Sequence, residues 1–261
     1  MFKKSICITG HKGILASNFI KKYKKKFRFY FYPKRIENIN HFKKWISDKK
    51  FNYFIHNAAV FRGKNLIKIN KKSSINLIKF FTKFNKIDHF IFISSAHVYG
   101  FSRKKFNENS KRKPKSVYGT SKKKVEDYIF KNRKKFNFKI SVARIFNFTH
   151  QRQKKGHFVP DVINKIKKGE KIKNINCYRD FIHIDDVCTA IYKILQKNFT
   201  GPINICSGKK INLMNITKHI SKKVNKEAFI DKRRALDLFG DNSKLKLLGL
   251  DKFKLVKEIQ K

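Results

Sequence analysis

The stretch Lys4-Ser5-Ile6-Cys7-Ile8-Thr9-Gly10-His11-Lys12-Gly13-Ile14-Leu15-Ala16-Ser17-Asn18-Phe19-Ile20 decides how the chain is read. A short apolar run ends in Thr-Gly, a second glycine stands three residues on, and apolar residues then recur at helical spacing. This pattern reads as strand, glycine turn, helix. Gly10 permits the tight turn, Gly13 leaves no side chain between backbone N–H groups and a pyrophosphate, and Ala16 lets the helix pack closely on the strand. A helix opening at Ile14 turns its N-terminal dipole and free N–H groups toward the phosphates of a dinucleotide. Gly-x-x-Gly turns also occur as plain loops, so the nucleotide reading gains its weight from motifs further along the chain.

Working outward, 261 residues suffice for one large α/β domain or a nucleotide domain with a small lobe, and 41% hydrophobic residues with 27 Phe supply a substantial core. No apolar run approaches the length of a membrane span. The glycine turn begins too early to leave room for a signal peptide, which points to the cytoplasm. Cys7, Cys177, Cys188 and Cys206 stand singly, without metal or disulfide spacing, and read as reduced. The formal charge of +48 would attract any polyanion at low salt. The lysines are spread along the whole chain rather than gathered in one arm, so a solvated basic surface is expected and no specific nucleic-acid partner.

Arg28 to Tyr32 reads as the second strand, followed by Pro33-Lys34-Arg35. The end of this strand normally faces the adenosine ribose, where an acid suits NAD and a base suits the 2′-phosphate of NADP. Lys34 and Arg35 occupy that place, with Lys12 in the glycine turn as a third cation, which favours NADP(H) over NAD(H). A helix near Ile39–Lys49 leads to the strand Tyr53–His56 and then Asn57-Ala58-Ala59, small residues that let a cofactor lie against backbone. A helix near Lys64–Lys83, with Asn70 in it, precedes the apolar run His89–Ile93, which ends in Ser94-Ser95-Ala96-His97-Val98-Tyr99-Gly100. Ligands bind outside the carboxyl ends of such strands. Tyr118 and Lys122 lie four apart on one helix face. A phenol with an ordinary pKa near 10 needs a depression of roughly three units, about 4 kcal/mol, to exchange protons near neutrality. A nearby ammonium and an oxidised nicotinamide ring could supply it.

Together these pieces resemble the extended short-chain dehydrogenase/reductases, the NAD-dependent epimerase/dehydratase family that acts on nucleotide-linked sugars. The resemblance runs the length of the chain: Thr9-Gly10-x-x-Gly13-x-x-Ala16, His56 to Ala59, Ser94 to Gly100, Tyr118-Gly119-x-Ser121-Lys122, Ala143 to Asn147, Arg179 to Val187, Asn204 to Gly208 and Asp241 to Lys244 occur in order. It implies Tyr118 as catalytic acid/base, Lys122 as the residue that binds the nicotinamide ribose and lowers the tyrosine pKa, and Ser95 rather than Ser94 as the triad serine. It implies that Asn147 and Arg179 bind the nucleotide-sugar. The plain alternative for Arg179 is a surface ion pair with Asp180. Asp185 or Asp186 reads as a helix cap rather than a metal ligand, and no metal is expected.

Dehydratases of the family carry Asp-Glu where this chain has Ala96-His97, which argues against dehydration. The short segment before His56 and the small C-terminal lobe resemble GDP-fucose synthase and related 4-keto-sugar reductases; the turn Gly10-His11-Lys12-Gly13 and the stretch Gly156-His157-Phe158-Val159-Pro160 are similar to those of that synthase, in which the equivalent histidine is an acid/base for epimerisation. A cysteine of that synthase is replaced by Ala96, so its two-base epimerisation does not carry over whole. His97 and His157 each read as a substrate-site residue or as a bystander. The resemblance thus implies a doubly wound parallel sheet formed by 1–145 with 182–206, and a small substrate lobe formed by 146–181 with 207–261. It implies an NADPH-dependent reduction of a 4-keto-6-deoxy sugar, with a 4-epimerase holding NAD and a non-catalytic binding protein as alternatives, and a homodimer.

Overall fold

A computed structural model describes residues 3–84, 87–256 and 259. Residues 257–258 and 260–261 of the expected lobe tail lie outside the described residues. The chain runs β1 (Ser5–Thr9), α1 (Ile14–Tyr23), β2 (Arg28–Phe31), α2 (Ile39–Ile46), β3 (Tyr53–His56), α3 (Leu66–Phe84), β4 (His89–Ser95) and α4 (Val117–Asn132). It continues through β5 (Lys139–Ile145), α5 (Phe158–Lys167), β6 (Tyr178–Arg179), α6 (Ile184–Gln196), β7 (Gly201–Ile205), β8 (Ile211–Asn212), α7 (Leu213–Lys223) and α8 (Ser243–Leu247).

Six strands form one parallel sheet in the order β2-β1-β3-β4-β5-β7. The order reverses between β1 and β3, which opens a crevice at the carboxyl ends of those strands. The strand residues divide by face because successive side chains point to opposite sides. Ile6, Ile8, Ile55, Ile91 and Ile93 pack with α1 and α6, whereas Cys7, Phe54, Phe90 and Phe92 pack with Phe42 of α2 and Phe80 and Phe81 of α3. One side of the sheet is thus aliphatic and the other largely aromatic. Burying each such Phe stabilises the fold by about 1.5–3 kcal/mol relative to exposure. The four cysteines are free and buried.

A second cluster joins Val162 and Ile166 of α5 to Leu213, Ile216 and Ile220 of α7, beside the antiparallel pair β6-β8. The C-terminal segment reaches both clusters: Val256 and Ile259 join this one, and Leu245, Leu248 and Leu250 pack into the core beneath the sheet. Helix α6 is capped by His183, whose Nδ1 accepts from the Asp185 N–H, while Asp185 and Asp186 occupy its first turn and carry charge that suits the dipole there. The expectation of an aspartate cap is therefore corrected: the cap is the histidine just before the two aspartates. Among the described residues no helix is long and apolar enough to cross a membrane, and no group of three His, Cys, Asp or Glu could hold a metal ion.

Candidate active site

Gly10 takes a positive φ of 66°, and a Cβ there would stand 2.9 Å from Ala58 Cα. Only glycine lets the turn pass that close to the loop after β3. Helix α1 begins at Gly13 with no side-chain cap, so its first N–H groups face the crevice. Asn57 Nδ2 donates to Gly10 O, tying the two loops together. A buried relay braces them from behind. The Thr9 hydroxyl accepts from the Ala58 N–H at 3.1 Å and meets His56 Nδ1 at 2.8 Å, His56 Nε2 meets Ser74 Oγ at 2.9 Å, and Ser74 donates to Asn70 O. Burial pushes the His56 pKa down to about 3, so the ring is neutral. Asn70 in turn holds both the N–H and the carbonyl of Val60 and donates to Ser121 Oγ on α4.

A cavity of about 360 Å³ opens above this frame, lined among others by Gly13, Ile14, Asn57, Ser95, Ala96, His97, Tyr118, Lys122, Asn147 and His157. The structure thus brings most of the expected residues to one chamber. Lys122 is buried, its Nζ donates to Ile93 O at 2.8 Å and lies 5.7 Å from the Tyr118 ring centroid, and burial pulls its pKa down to about 7. Burial pushes the Tyr118 phenol up, opposite to the depression that acid/base work needs, and the Lys122 ammonium is turned to a carbonyl rather than to the phenol. Gly119 allows α4 to sit this deep: a Cβ there would fall 2.4 Å from His97 O.

The two serines differ. Ser94 Oγ donates to Glu126 at 2.6 Å and is committed to a buried network, in which Arg144 Nη2 also meets Glu126 at 2.7 Å, Arg112 meets it at 3.1 Å, and Arg144 Nη1 donates to Tyr99 Oη. Ser95 Oγ accepts only a longer bond of 3.3 Å from the His97 N–H. Burial, with Arg179 nearby, lowers the His97 pKa; burial also lowers that of His157, which forms the N-terminal boundary of α5.

Arg179, Arg35, Lys34 and Lys12 do not line the chamber, and Asn147 lines it with its amide already engaged. Arg179 donates to the carbonyls of Tyr178 and Leu236 and lies over Phe101; its neighbour Asp180 is fully buried and accepts from Ser207 and Gly208, so the surface ion pair is absent. Asn147 Nδ2 donates to Asp180 O. Arg35 lines a smaller cavity with Glu37, His56, Ala58, Ala59 and Asn70, and pairs with Glu37 at 3.1 Å. The carboxylate that sequence reading found missing after β2 is thus present two residues further on. Lys34 and Lys12 are exposed. Sequence reading missed Phe61, which is 63% exposed and stacks on Tyr118 at 4.8 Å, and Thr149, which lines the chamber with its hydroxyl buried. Only tertiary approach reveals either.

Residues 6–206 match the family model described as NAD dependent epimerase/dehydratase family. The chain belongs to that family. Epimerase/dehydratase family members are enzymes, and this chain is 28% identical to ADP-L-glycero-D-manno-heptose-6-epimerase of Brachyspira hyodysenteriae, over 87% of its own length and 83% of the relative's. It is 27% identical to GDP-6-deoxy-D-talose 4-dehydrogenase of Aggregatibacter actinomycetemcomitans, over 94% and 92%. The fold is shared with RMD from Pseudomonas aeruginosa complexed with NADPH, at a TM-score of 0.83 and 19% identity, over 98% of this chain and 96% of that one. The glycine turn, the uncapped N-terminus of α1 and the small-residue loop after β3 fit a nicotinamide dinucleotide. Gly10, Gly13, Ile14, Asn57, Ala58 and Ala59 would hold its phosphates and ribose.

Proposed function

We propose that this family member reduces a nucleotide-linked 4-keto-6-deoxy sugar, with Ser95, Tyr118 and Lys122 as the catalytic set. One observation carries the reading: no Asp or Glu is among the described residues lining the cavity that holds Ser95, Tyr118 and Lys122. Without a carboxylate beside the sugar, proton removal from a ring carbon lacks its usual base, while reduction of a carbonyl needs only a hydride and one proton. When bound, the nicotinamide supplies the hydride. Tyr118 donates the proton to the carbonyl oxygen, Ser95 hydrogen-bonds that oxygen, and Lys122 stabilises the tyrosinate left behind. Arg179, whose hydrogen bonds in the structure go to the carbonyls of Tyr178 and Leu236, meets the diphosphate; Asn147, Ala96, His97 and His157 border the sugar.

Lys12, Lys34 and Arg35 support NADPH as the donor. The Arg35–Glu37 pair favours a second reading, a 4-epimerase that retains NAD, because a carboxylate there suits a free ribose hydroxyl. A cytoplasmic homodimer is part of the proposal. Purified protein, first checked for retained cofactor, is titrated with NADPH and NADH and then assayed for NADPH oxidation with GDP- and dTDP-linked 4-keto-6-deoxy sugars. Tyr118→Phe should abolish turnover and leave NADPH binding nearly intact. Stoichiometric bound NAD with no NADPH oxidation on any keto sugar would overturn the reductase reading, and full turnover by the variant would overturn the role of Tyr118.

A further inference from the structure

We infer that the groove along α3 and α4 is a docking surface for an acidic amphipathic helix of a partner protein. The groove has a volume of about 580 Å³, shares no residue with the candidate active site, and is lined by the five lysines Lys64, Lys68, Lys71, Lys72 and Lys124, with no carboxylate among the described residues that line it. Helix α3 turns Leu66, Asn70, Ser73, Ser74, Leu77 and Ile78 inward, and Asn70 ties it to Ser121 of α4. Its other side presents Lys68, Lys71, Lys72 and Ile75 at spacings of three and four residues, which is one face of a helix. The five lysines are exposed, whereas Ile67 and Ile75, which also line the groove, are half-buried and form its floor.

The charge of this groove is uncompensated. None of the five lysines makes a hydrogen bond or ion pair among the described residues. Helix α3 contains no Asp or Glu, and the carboxylates of α4 are already paired, Glu126 with Arg144 and Arg112, Asp127 with Arg112 and Lys123. Other grooves differ: the one beside α5 has a single lysine, Lys167, and the one behind β3 sets Arg35 against Glu37. A basic surface that only keeps the chain hydrated needs neither a concave shape nor an apolar floor. A helix with leucine-type residues on one stripe and Glu or Asp on its flanks satisfies both, the stripe covering Ile67 and Ile75 and the acids meeting the lysine rim. A phosphate polymer would meet the rim and leave the isoleucines uncovered. A second copy fits worse, because with 65 Lys and Arg against 17 Asp and Glu it brings like charge to like charge, so any self-association of the chain uses another face.

The inference does not rest on which reaction the active site performs, and its test needs no turnover. The probes are a synthetic helical peptide of about 18 residues with a leucine stripe flanked by Glu, a scrambled peptide of the same composition, and inorganic polyphosphate of matched charge, all at physiological salt. Wild type is compared with Lys68→Gln/Lys71→Gln/Lys72→Gln/Lys124→Gln, with Ile67→Gln/Ile75→Gln, and with Lys24→Gln/Lys25→Gln/Lys218→Gln/Lys222→Gln, which removes the same charge elsewhere. The striped peptide should bind wild type about tenfold more tightly than the scrambled one. The groove lysine variant should melt as wild type does and bind the striped peptide about thirtyfold more weakly, a few-fold for each charge, against about twofold for the distant variant. The isoleucine variant should lose the striped peptide and keep the polyphosphate. Failure of wild type to bind the striped peptide, equal binding of both peptides, or equal losses in the two lysine variants overturns the inference. So does a wild-type dimer that the groove lysine variant dissociates, which would make a second copy the occupant.

Discussion

Arg144→Met tests the network that holds the candidate catalytic helix. Arg144 and Glu126 are essentially inaccessible to solvent, and the guanidinium gives Glu126 bonds of 2.7, 3.1 and 3.2 Å. Removing one partner of a buried pair costs about 3–5 kcal/mol, since a desolvated charge is left behind. Here Arg112 and Ser94 still serve the carboxylate, at 3.1 and 2.6 Å, which places the loss at the lower end, about 3 kcal/mol. For a chain of this size that is a fall in Tm of roughly 6–12 °C. The double variant Arg144→Met/Glu126→Leu removes the stranded charge and should regain part of the loss, a coupling that thermal and urea melts of the four proteins in the cycle measure directly. A loss under about 1 kcal/mol in the single variant, or a double variant equal to the sum of the singles, would show that the pair does not act as a unit.

Acid should weaken the fold through two histidines. Burial holds His89 at about 4 and His56 at about 3, both below the ordinary unfolded value near 6.5. Their neutral forms favour folding fully above that value, and the contribution drains as pH falls below it, about 3 kcal/mol from His89 alone by pH 4. Urea midpoints that stay level from neutrality to that pH would refute this. Gly119→Ala should cut turnover at least tenfold and lower Tm, because the new Cβ meets His97 O at 2.4 Å, although alanine is the better helix former by about 1 kcal/mol. An active, more heat-stable variant would show that α4 yields without cost.

The sheet was legible because its strands are continuous apolar runs bounded by glycine and small residues, and because a parallel sheet buries both faces. His89 to Ser95 could be read as a strand without knowing what lies on either side. The second strand misled in one detail. Its sequence neighbours Lys34 and Arg35 are basic, but Arg35 folds toward Glu37, and only the turn after β2 brings that carboxylate into the cavity wall. Ser94 and Ser95 both border the chamber, and what separates them is that Ser94 Oγ is committed to Glu126 while Ser95 Oγ accepts only the His97 N–H. Thr149 and Phe61 had no signal at all, since their significance is an unpaired hydroxyl and a ring-on-ring contact made across the chain.

Asn70 has a mechanical consequence. One amide side chain grips the loop after β3 and the helix that carries Tyr118 and Lys122, so these parts form a single stator. The opposite wall is exposed at Lys155, Gly156 and His157. On the proposed assignment, reactants enter and leave past that wall, while Tyr118 keeps its distance from the glycine turn. Amide exchange along the chain reads this division, slow at Val60 and fast through 155–158. A uniform rate across both would dissolve the distinction between the part that waits and the part that does the chemistry.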